Sequence, residues 1–306
     1  MLFSFGLVLL ILGAELFVRS ALWTSAVTGA SKAVIGATVV AFATSGPEFF
    51  VSLFAAIGGE YDIAVGNVVG SNICNVGICL GICAIFSPHK MTDKLFIVNG
   101  LFAILATILL FSLVLSGALS VVFAGAIALV FVFYTIYNIH GNKGESHDTK
   151  KPTRPREVLC YICLFALGLG GLLLGAEVVV KGATVIAFEV GMTEKLVALT
   201  LVAIGTSLPE IVTTIVAVIK RESGLSVGNV VGSNLFNATI VLLPAILISG
   251  GAIASGAMVW FDIPLALLFM AIAVLPTIIT KRVHRWQGLA VATLYVAYLV
   301  ASFFIS

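Results

Sequence analysis

Apolar residues run along this chain in long blocks separated by short polar or Gly/Pro punctuation. About 20 consecutive apolar residues cross the hydrocarbon of a bilayer as a helix. On that measure the blocks predict spans over 2–18, 33–57, 63–86, 95–114, 120–139, 157–180, 196–219, 225–248, 258–279 and 286–305. Helices are the expected form, because a segment in lipid must satisfy its own backbone hydrogen bonds. The one long hydrophilic stretch, 140–156, carries Lys143, Lys150, Lys151, Arg154 and Arg156 with Pro152 and Pro155, and reads as a linker. It separates a first five-helix unit, 1–139, from a second, 157–306.

Composition agrees. Of the 306 residues, 60% are hydrophobic and 10% charged, against about 25% charged in soluble domains. A soluble enzyme, a disordered chain and a nucleic-acid binder are excluded, and the net charge of +2 suggests no anionic partner. With ten spans, all the Lys and Arg residues except Lys181 and Lys195 fall on one face, which the positive-inside rule makes cytoplasmic. The linker is then cytoplasmic and both termini are extracellular, in a multi-pass protein of the cell membrane. Met1 leads straight into an apolar stretch without a basic segment, so 2–18 reads as the first span rather than a cleaved signal. The five cysteines, including Cys160 and Cys163, lie in apolar runs and read as packing residues.

The two halves repeat each other at a constant offset. Gly13-Ala14-Glu15 recurs as Gly175-Ala176-Glu177, and Thr44-Ser45-Gly46-Pro47-Glu48 as Thr206-Ser207-Leu208-Pro209-Glu210. Gly66-Asn67-Val68-Val69-Gly70-Ser71-Asn72 recurs unchanged as Gly228-Asn229-Val230-Val231-Gly232-Ser233-Asn234, and Asn75 as Asn237. Between 36–77 and 198–239 nearly half the positions are identical without a gap. Five spans per half is odd, so the second half enters the membrane upside down. The loops agree: Gly58-Gly59-Glu60 is acidic where Lys220-Arg221-Glu222 is basic. The predicted fold is an all-α membrane protein of ten transmembrane helices in two inverted five-helix repeats, an arrangement typical of transporters that alternate access around a midplane site.

Glu48 and Glu210 lie well inside their spans with no Lys, Arg or His in the neighbouring motifs. A charge at the bilayer centre costs at least about 2.5–3.5 kcal/mol, so an intramembrane carboxylate marks function by default. The compensating charge must be a proton or a bound cation. Thr44 and Ser45 precede Glu48 by one helical turn, as Thr206 and Ser207 precede Glu210, placing their oxygens on one face. Ser71 with Asn75, and Ser233 with Asn237, repeat that spacing. Pro47 and Pro209 donate no backbone hydrogen bond, which frees carbonyls near Ala43 and Gly205. Carboxylate, hydroxyl, amide and carbonyl oxygens suit Ca²⁺, Mg²⁺, Mn²⁺ or Na⁺ rather than zinc or copper, and Ca²⁺ best accepts many oxygens in loose geometry. Asn67, Asn72, Asn229 and Asn234 are open between ligands and supporting hydrogen-bond partners. Glu15, Glu177 and Asp262 read as solvated residues near helix ends.

These motifs resemble the paired repeats of the cation/Ca²⁺ exchanger superfamily, in particular its sodium/calcium exchanger branch of the minimal prokaryotic type. The resemblance rests on Ala-Thr-Ser-Gly-Pro-Glu at 43–48, Gly-Thr-Ser-Leu-Pro-Glu at 205–210 and the Gly-Asn-x-x-Gly-Ser-Asn segments. It implies that the first and sixth spans are long, tilted helices sliding past a fixed core of the second, third, seventh and eighth. It further implies Ca²⁺ held by Glu48, Glu210, Thr44 or its carbonyl, and Thr206. Na⁺ would use Ser45, Ser71, Ser207 and Ser233 with the glutamates, and the carbonyls of Ala41 and Ala203. The chain departs from the family at Ala43 and Gly46, where Gly and Leu are usual, and at Asn237, where many relatives carry Asp. Two core carboxylates rather than three favour exchange without K⁺. The H⁺-coupled branch usually has an acidic residue where Gly70-Ser71 and Gly232-Ser233 stand, which leaves Ca²⁺/H⁺ or other divalent-cation antiport as the second reading.

The expected function is therefore secondary antiport of Ca²⁺ for Na⁺, with those ions as cargo, the bilayer as solvent, no resident cofactor and no obligatory protein partner. An enzyme is not expected, since His89, His140, His147 and His284 all lie in polar loops away from the glutamates. A channel fits inverted repeats less tightly. The short linker leaves no room for a regulatory domain.

Overall fold

The computed structural model describes residues 1–88, 94–116, 121–140, 154–191, 203–249 and 258–305, and among them every regular element is a helix. In chain order these are α1 (Leu2–Thr28), α2 (Lys32–Thr44), α3 (Gly46–Ile57), α4 (Tyr61–Phe86), α5 (Lys94–Ser116), α6 (Val121–His140) and α7 (Pro155–Glu189). Then follow α8 (Ala203–Thr206), α9 (Leu208–Ile219), α10 (Ser223–Ser249), α11 (Ile263–Thr280) and α12 (Arg285–Ile305). Seven of the described helices are long and apolar enough to cross a membrane, and eight when α2 and α3 are taken as one bent span. The chain is thus an all-helical, multi-pass integral membrane protein. Most of the 140–156 linker and the first part of the expected 196–219 span lie outside the described residues.

Two spans are longer than expected from the sequence. α1 continues past residue 18 to Thr28 and α7 past residue 180 to Glu189, so Arg19, Glu15, Glu177 and Lys181 sit within helices rather than at their ends. The polar residues that suggested a terminus are absorbed by the helix itself. Ser20 donates to the Phe17 carbonyl at 2.8 Å, Thr24 to Ser20 at 2.9 Å and Thr28 to Thr24 at 2.7 Å. At 27 residues α1 is about 40 Å long, more than a perpendicular crossing needs. α7 also starts earlier than expected, with Pro155 in its first turn, where a missing N–H costs nothing.

α1 and α7 pack against each other with glycines at several close approaches. A Cβ on Gly13 would lie 2.5 Å from the Leu172 nitrogen, one on Gly168 2.5 Å from Phe17 N, one on Gly175 2.5 Å from Leu10 N, and one on Gly182 2.7 Å from Phe3 N. The contacting numbers fall on one helix as they rise on the other, so the two helices are antiparallel. They carry the equivalent motifs at Gly13 and Gly175. At one end of the pair the Trp23 ring stacks on Tyr161 with centroids 4.4 Å apart, and its indole N–H reaches Glu157 at 3.2 Å.

Equivalent turns close α3 and α9. Glu60 N–H bonds the Ala55 carbonyl and Glu222 N–H the Ala217 carbonyl, both at 2.8 Å. The left-handed position in these turns is Gly59 (φ 81°) in one half and Arg221 (φ 62°) in the other. A non-glycine residue there costs about 1–2 kcal/mol, and Arg221 follows Lys220 to give this turn two positive charges.

Candidate functional site

The motif residues are carried by α2, α3 and α4 in the first half and by α8, α9 and α10 in the second. α2 ends at Thr44, and the chain bends by 44° before α3 continues from Gly46. The break falls at Ser45 (φ −77°, ψ 7°) and is repeated at Ser207 (φ −87°, ψ 2°), each two residues before the proline that cannot donate to the preceding turn. Glu48 and Glu210 thereby sit in the first turns of α3 and α9, both fully buried. α4 and α10 each change to π-helical winding at the equivalent asparagine, over Asn75–Leu80 and Asn237–Val241. Two further π-helical stretches are Gly36–Val40 in α2 and Met258–Asp262, which leads into α11. Single-turn π segments occur often at functional sites, and apolar periodicity did not reveal these.

Around Glu48 the halves meet. Its Oε1 accepts from the Ser71 hydroxyl at 3.4 Å and from Ser207, in the other half, at 3.3 Å. Glu210, the counterpart of Glu48, is equally buried in the first turn of α9. The Thr44 hydroxyl is 3.4 Å from both the Ala41 carbonyl and the Asn229 Oδ1. The Ala41 carbonyl also accepts the Ser45 N–H at 3.0 Å, whereas Ser207 N–H bonds Ile204, so the Ala203 carbonyl is not its acceptor.

Most of the remaining oxygens have no partner within the protein. Ser45 Oγ, Glu48 Oε2, Thr206 Oγ1, both oxygens of Glu210, Ser233 Oγ and the whole amides of Asn75 and Asn237 are buried and unpaired. Buried polar atoms are partnered in more than about nine cases in ten. So many unpaired buried oxygens on the two motifs, together with two buried carboxylates, match what a desolvated cation requires. Among the described residues no three His, Cys, Asp or Glu side chains come together. The donor set is two carboxylates with neutral oxygens, which suits hard ions of the Ca²⁺ and Na⁺ type.

The asparagines left open by spacing have separate tasks. Asn67 donates to the Glu48 backbone carbonyl at 3.1 Å and to Ser52 Oγ at 2.9 Å, bracing the first turn of α3. Its counterpart Asn229 instead takes the Thr44 hydroxyl. Asn72 and Asn234 exchange hydrogen bonds, each amide reaching the other's backbone carbonyl at 3.2 and 3.1 Å, and clasp α4 to α10. Neither Ser52 nor Tyr134 was singled out from the sequence. The fully buried Tyr134 of α6 donates its hydroxyl to the Ala37 carbonyl inside the π-helical stretch of α2. Tyr134→Phe leaves that carbonyl without its donor and is expected to cost about 1–2 kcal/mol, read as a lower melting temperature of the purified protein.

Comparison with known proteins agrees with this geometry. The family model described as sodium/calcium exchanger protein matches residues 1–140 and 160–304. An uncharacterized membrane protein of Methanocaldococcus jannaschii is 33% identical over 303 residues, covering 96% of this chain and 94% of the relative. The sodium/calcium exchanger MaX1 of Methanosarcina acetivorans is 28% identical over 346 residues, covering 98% and 97%. Among solved structures, the sodium-calcium exchanger NCX_Mj soaked with 2.5 mM Na⁺ and 10 mM Sr²⁺ superposes with a TM-score of 0.83 at 30% identity, covering 98% of this chain and 97% of that one. With a family match over nearly all its length and two motif copies meeting at paired buried glutamates, the chain belongs to the sodium/calcium exchanger family.

Proposed function

We propose that the protein is a secondary antiporter that moves Ca²⁺ against Na⁺ by alternating access, through one midplane site built from Glu48, Glu210 and the hydroxyl, amide and carbonyl oxygens around them. The observation that carries this reading is the set of buried, unpaired oxygens on both motifs, centred on two carboxylates of opposite halves. Their combined charge balances one Ca²⁺, and replacing that ion by monovalent cations takes at least two Na⁺. Ca²⁺ would sit between Glu48 and Glu210 with Thr44 and Thr206. Na⁺ would sit among Ser45, Ser71, Ser207 and Ser233, the carbonyls of Ala41 and Ala203, and the amides of Asn75 and Asn237.

Ten spans in two inverted repeats remain the preferred architecture. The antiparallel course of the equivalent helices α1 and α7 supports it, as do the paired breaks at Ser45 and Ser207 and the reciprocal Asn72–Asn234 clasp. With basic residues cytoplasmic, the turn at Lys220 faces the cytoplasm, the turn at Gly58 faces outward and both termini are extracellular. Exchange is expected to be independent of K⁺, because Asn237 supplies no third carboxylate.

Proteoliposomes loaded with Na⁺ test the coupling ion. ⁴⁵Ca²⁺ uptake should require the outward Na⁺ gradient, proceed equally with and without K⁺ on either side, and leave internal pH unchanged. Uptake driven by a proton gradient without Na⁺ would replace the Na⁺ reading with Ca²⁺/H⁺ antiport at the same glutamates.

A further inference from the structure

The two halves are equivalent in sequence but not in how the α1–α7 pair covers them. α1 lies on α9: Leu10, Ala14 and Phe17 share one buried cluster with Val216 and Ala217. The equivalent face of α3 is bare. Val216 is 8% exposed and its counterpart Phe54 65%; Thr213 is 1% exposed and its counterpart Val51 39%. One of two equivalent helices covered by α1, with the matching face of the other exposed, is the asymmetry that a single conformation of an alternating-access cycle shows, and exchanging the roles of the halves generates the other.

At the covered end an ion pair spans the moving boundary. Lys220 Nζ, at the end of α9, lies 2.6 Å from Glu15 Oε1 in the middle of α1. The pair is half-buried, with the side chains 30% and 45% exposed. Its neighbour Glu222 does not compete for Lys220, because it is bound to Lys32 at 2.9 Å. The opposite half cannot form the same tie. Glu15 corresponds to Glu177, but Lys220 corresponds to Gly58, which has no side chain, and Glu177 pairs with Lys181 of its own helix at 2.6 Å.

We infer that Glu15 and Lys220 are positioning residues for transport: a one-sided tie between the α1–α7 pair and α9 that favours the conformation closed at the Lys220 end and open at the Gly58 end. The inference rests on the antiport reading given above. An interaction made in one of two conformations shifts their equilibrium by its own free energy. A partly exposed pair of this kind shifts the ratio roughly two- to fivefold. The repeat itself is symmetric; the tie makes the cycle unequal, holding the extracellular face open to ions.

The test uses the full chain with each face addressed separately, in vesicles of known orientation. Glu15→Gln and Lys220→Gln should each raise the half-saturating Ca²⁺ concentration at the extracellular face roughly two- to fivefold and lower it at the cytoplasmic face. The reversed pair Glu15→Lys with Lys220→Glu should restore both. Gly58→Lys should act in the same direction as Glu15→Gln by giving Glu177 a partner in the opposite conformation; a Cβ at Gly58 meets nothing closer than 3.4 Å. A loss of local packing would move both faces alike, and that outcome, or no change, overturns the inference. A readout independent of the ion keeps it testable if Na⁺-coupled Ca²⁺ flux is absent altogether. Spin labels at Thr28→Cys and Ile219→Cys, with Cys160 and Cys163 replaced by Ala, report the distance from α1 to α9. Glu15→Gln should deplete the wild-type distance population; an unaltered distribution contradicts the tie.

Discussion

Glu210→Gln is expected to abolish exchange, lowering the initial rate of Na⁺-driven ⁴⁵Ca²⁺ uptake on the order of a hundredfold or more, and Glu48→Gln to do the same. The size follows from what is removed. Each glutamate supplies half of the fixed charge facing a divalent ion at a site where both carboxylates are fully buried. Interactions of charge in that setting are strong, and about 2.8 kcal/mol already corresponds to a hundredfold. Neither variant should fail to fold. Gln keeps the shape of Glu, at position 48 it keeps an oxygen that still accepts from Ser71 and Ser207, and at either position it removes a buried, membrane-embedded charge. Without Ca²⁺ or Na⁺ both variants are therefore expected to melt at or above the wild-type temperature. Ca²⁺ should raise the melting temperature of the wild type but not of either variant, since a ligand stabilises only a state that binds it. Retained transport in either variant would disprove the assignment of the site.

The second large effect is structural and separates two identical motifs. Gly228→Ala is expected to destabilise the protein by about 2 kcal/mol, and Gly228→Val more severely. A Cβ at Gly228 would stand 2.3 Å from the Ala33 carbonyl oxygen, and one at Gly36 2.3 Å from that of Leu225. α2 and α10 thus meet backbone to backbone, where nothing flexible can yield. Gly70 holds the same place in the other copy of the motif as Gly232, yet a Cβ at Gly70 meets no described atom within 4 Å, against 2.5 Å from the Ala37 oxygen at Gly232. Gly70→Ala should fold normally, with the helix propensity of alanine in its favour. Thermal unfolding and the fraction of monodisperse protein after purification read both outcomes. Equal sensitivity of Gly70 and Gly232 to alanine would mean that the packing differs from that described.

Much of this architecture was legible in the sequence because membranes make polar residues conspicuous. Glu48, Glu210 and the surrounding Ser, Thr and Asn stand out in apolar segments, and their recurrence at one offset identifies them as a set. Pro47 and Pro209 likewise announced the breaks that the chain makes at Ser45 and Ser207. Helix length was less legible. Hydropathy marks where a segment turns polar, but α1 and α7 continue through Ser20, Thr24 and Lys181 because those side chains bond back to the helix or reach a neighbour one turn away. The π-helical turns at Asn75 and Asn237 add one residue without changing the apolar pattern. The roles of Asn67, Asn72, Asn229 and Asn234 depend on which helix faces which, and four identical side chains in identical contexts carry no signal of that. Glu15 read as a solvated residue for the same reason: its partner, Lys220, is 205 positions away.

One site that Ca²⁺ and Na⁺ occupy in turn is the central claim, and equilibrium Ca²⁺ binding to the purified protein at a series of Na⁺ concentrations tests it most directly. The apparent Ca²⁺ dissociation constant should rise with a power of Na⁺ concentration of at least two, because one divalent ion gives way to two or more monovalent ones at the same oxygens. Choline in place of Na⁺ should have no such effect, and Glu210→Gln should remove the binding itself. Ca²⁺ binding that is indifferent to Na⁺, or that survives Glu210→Gln, would contradict the account.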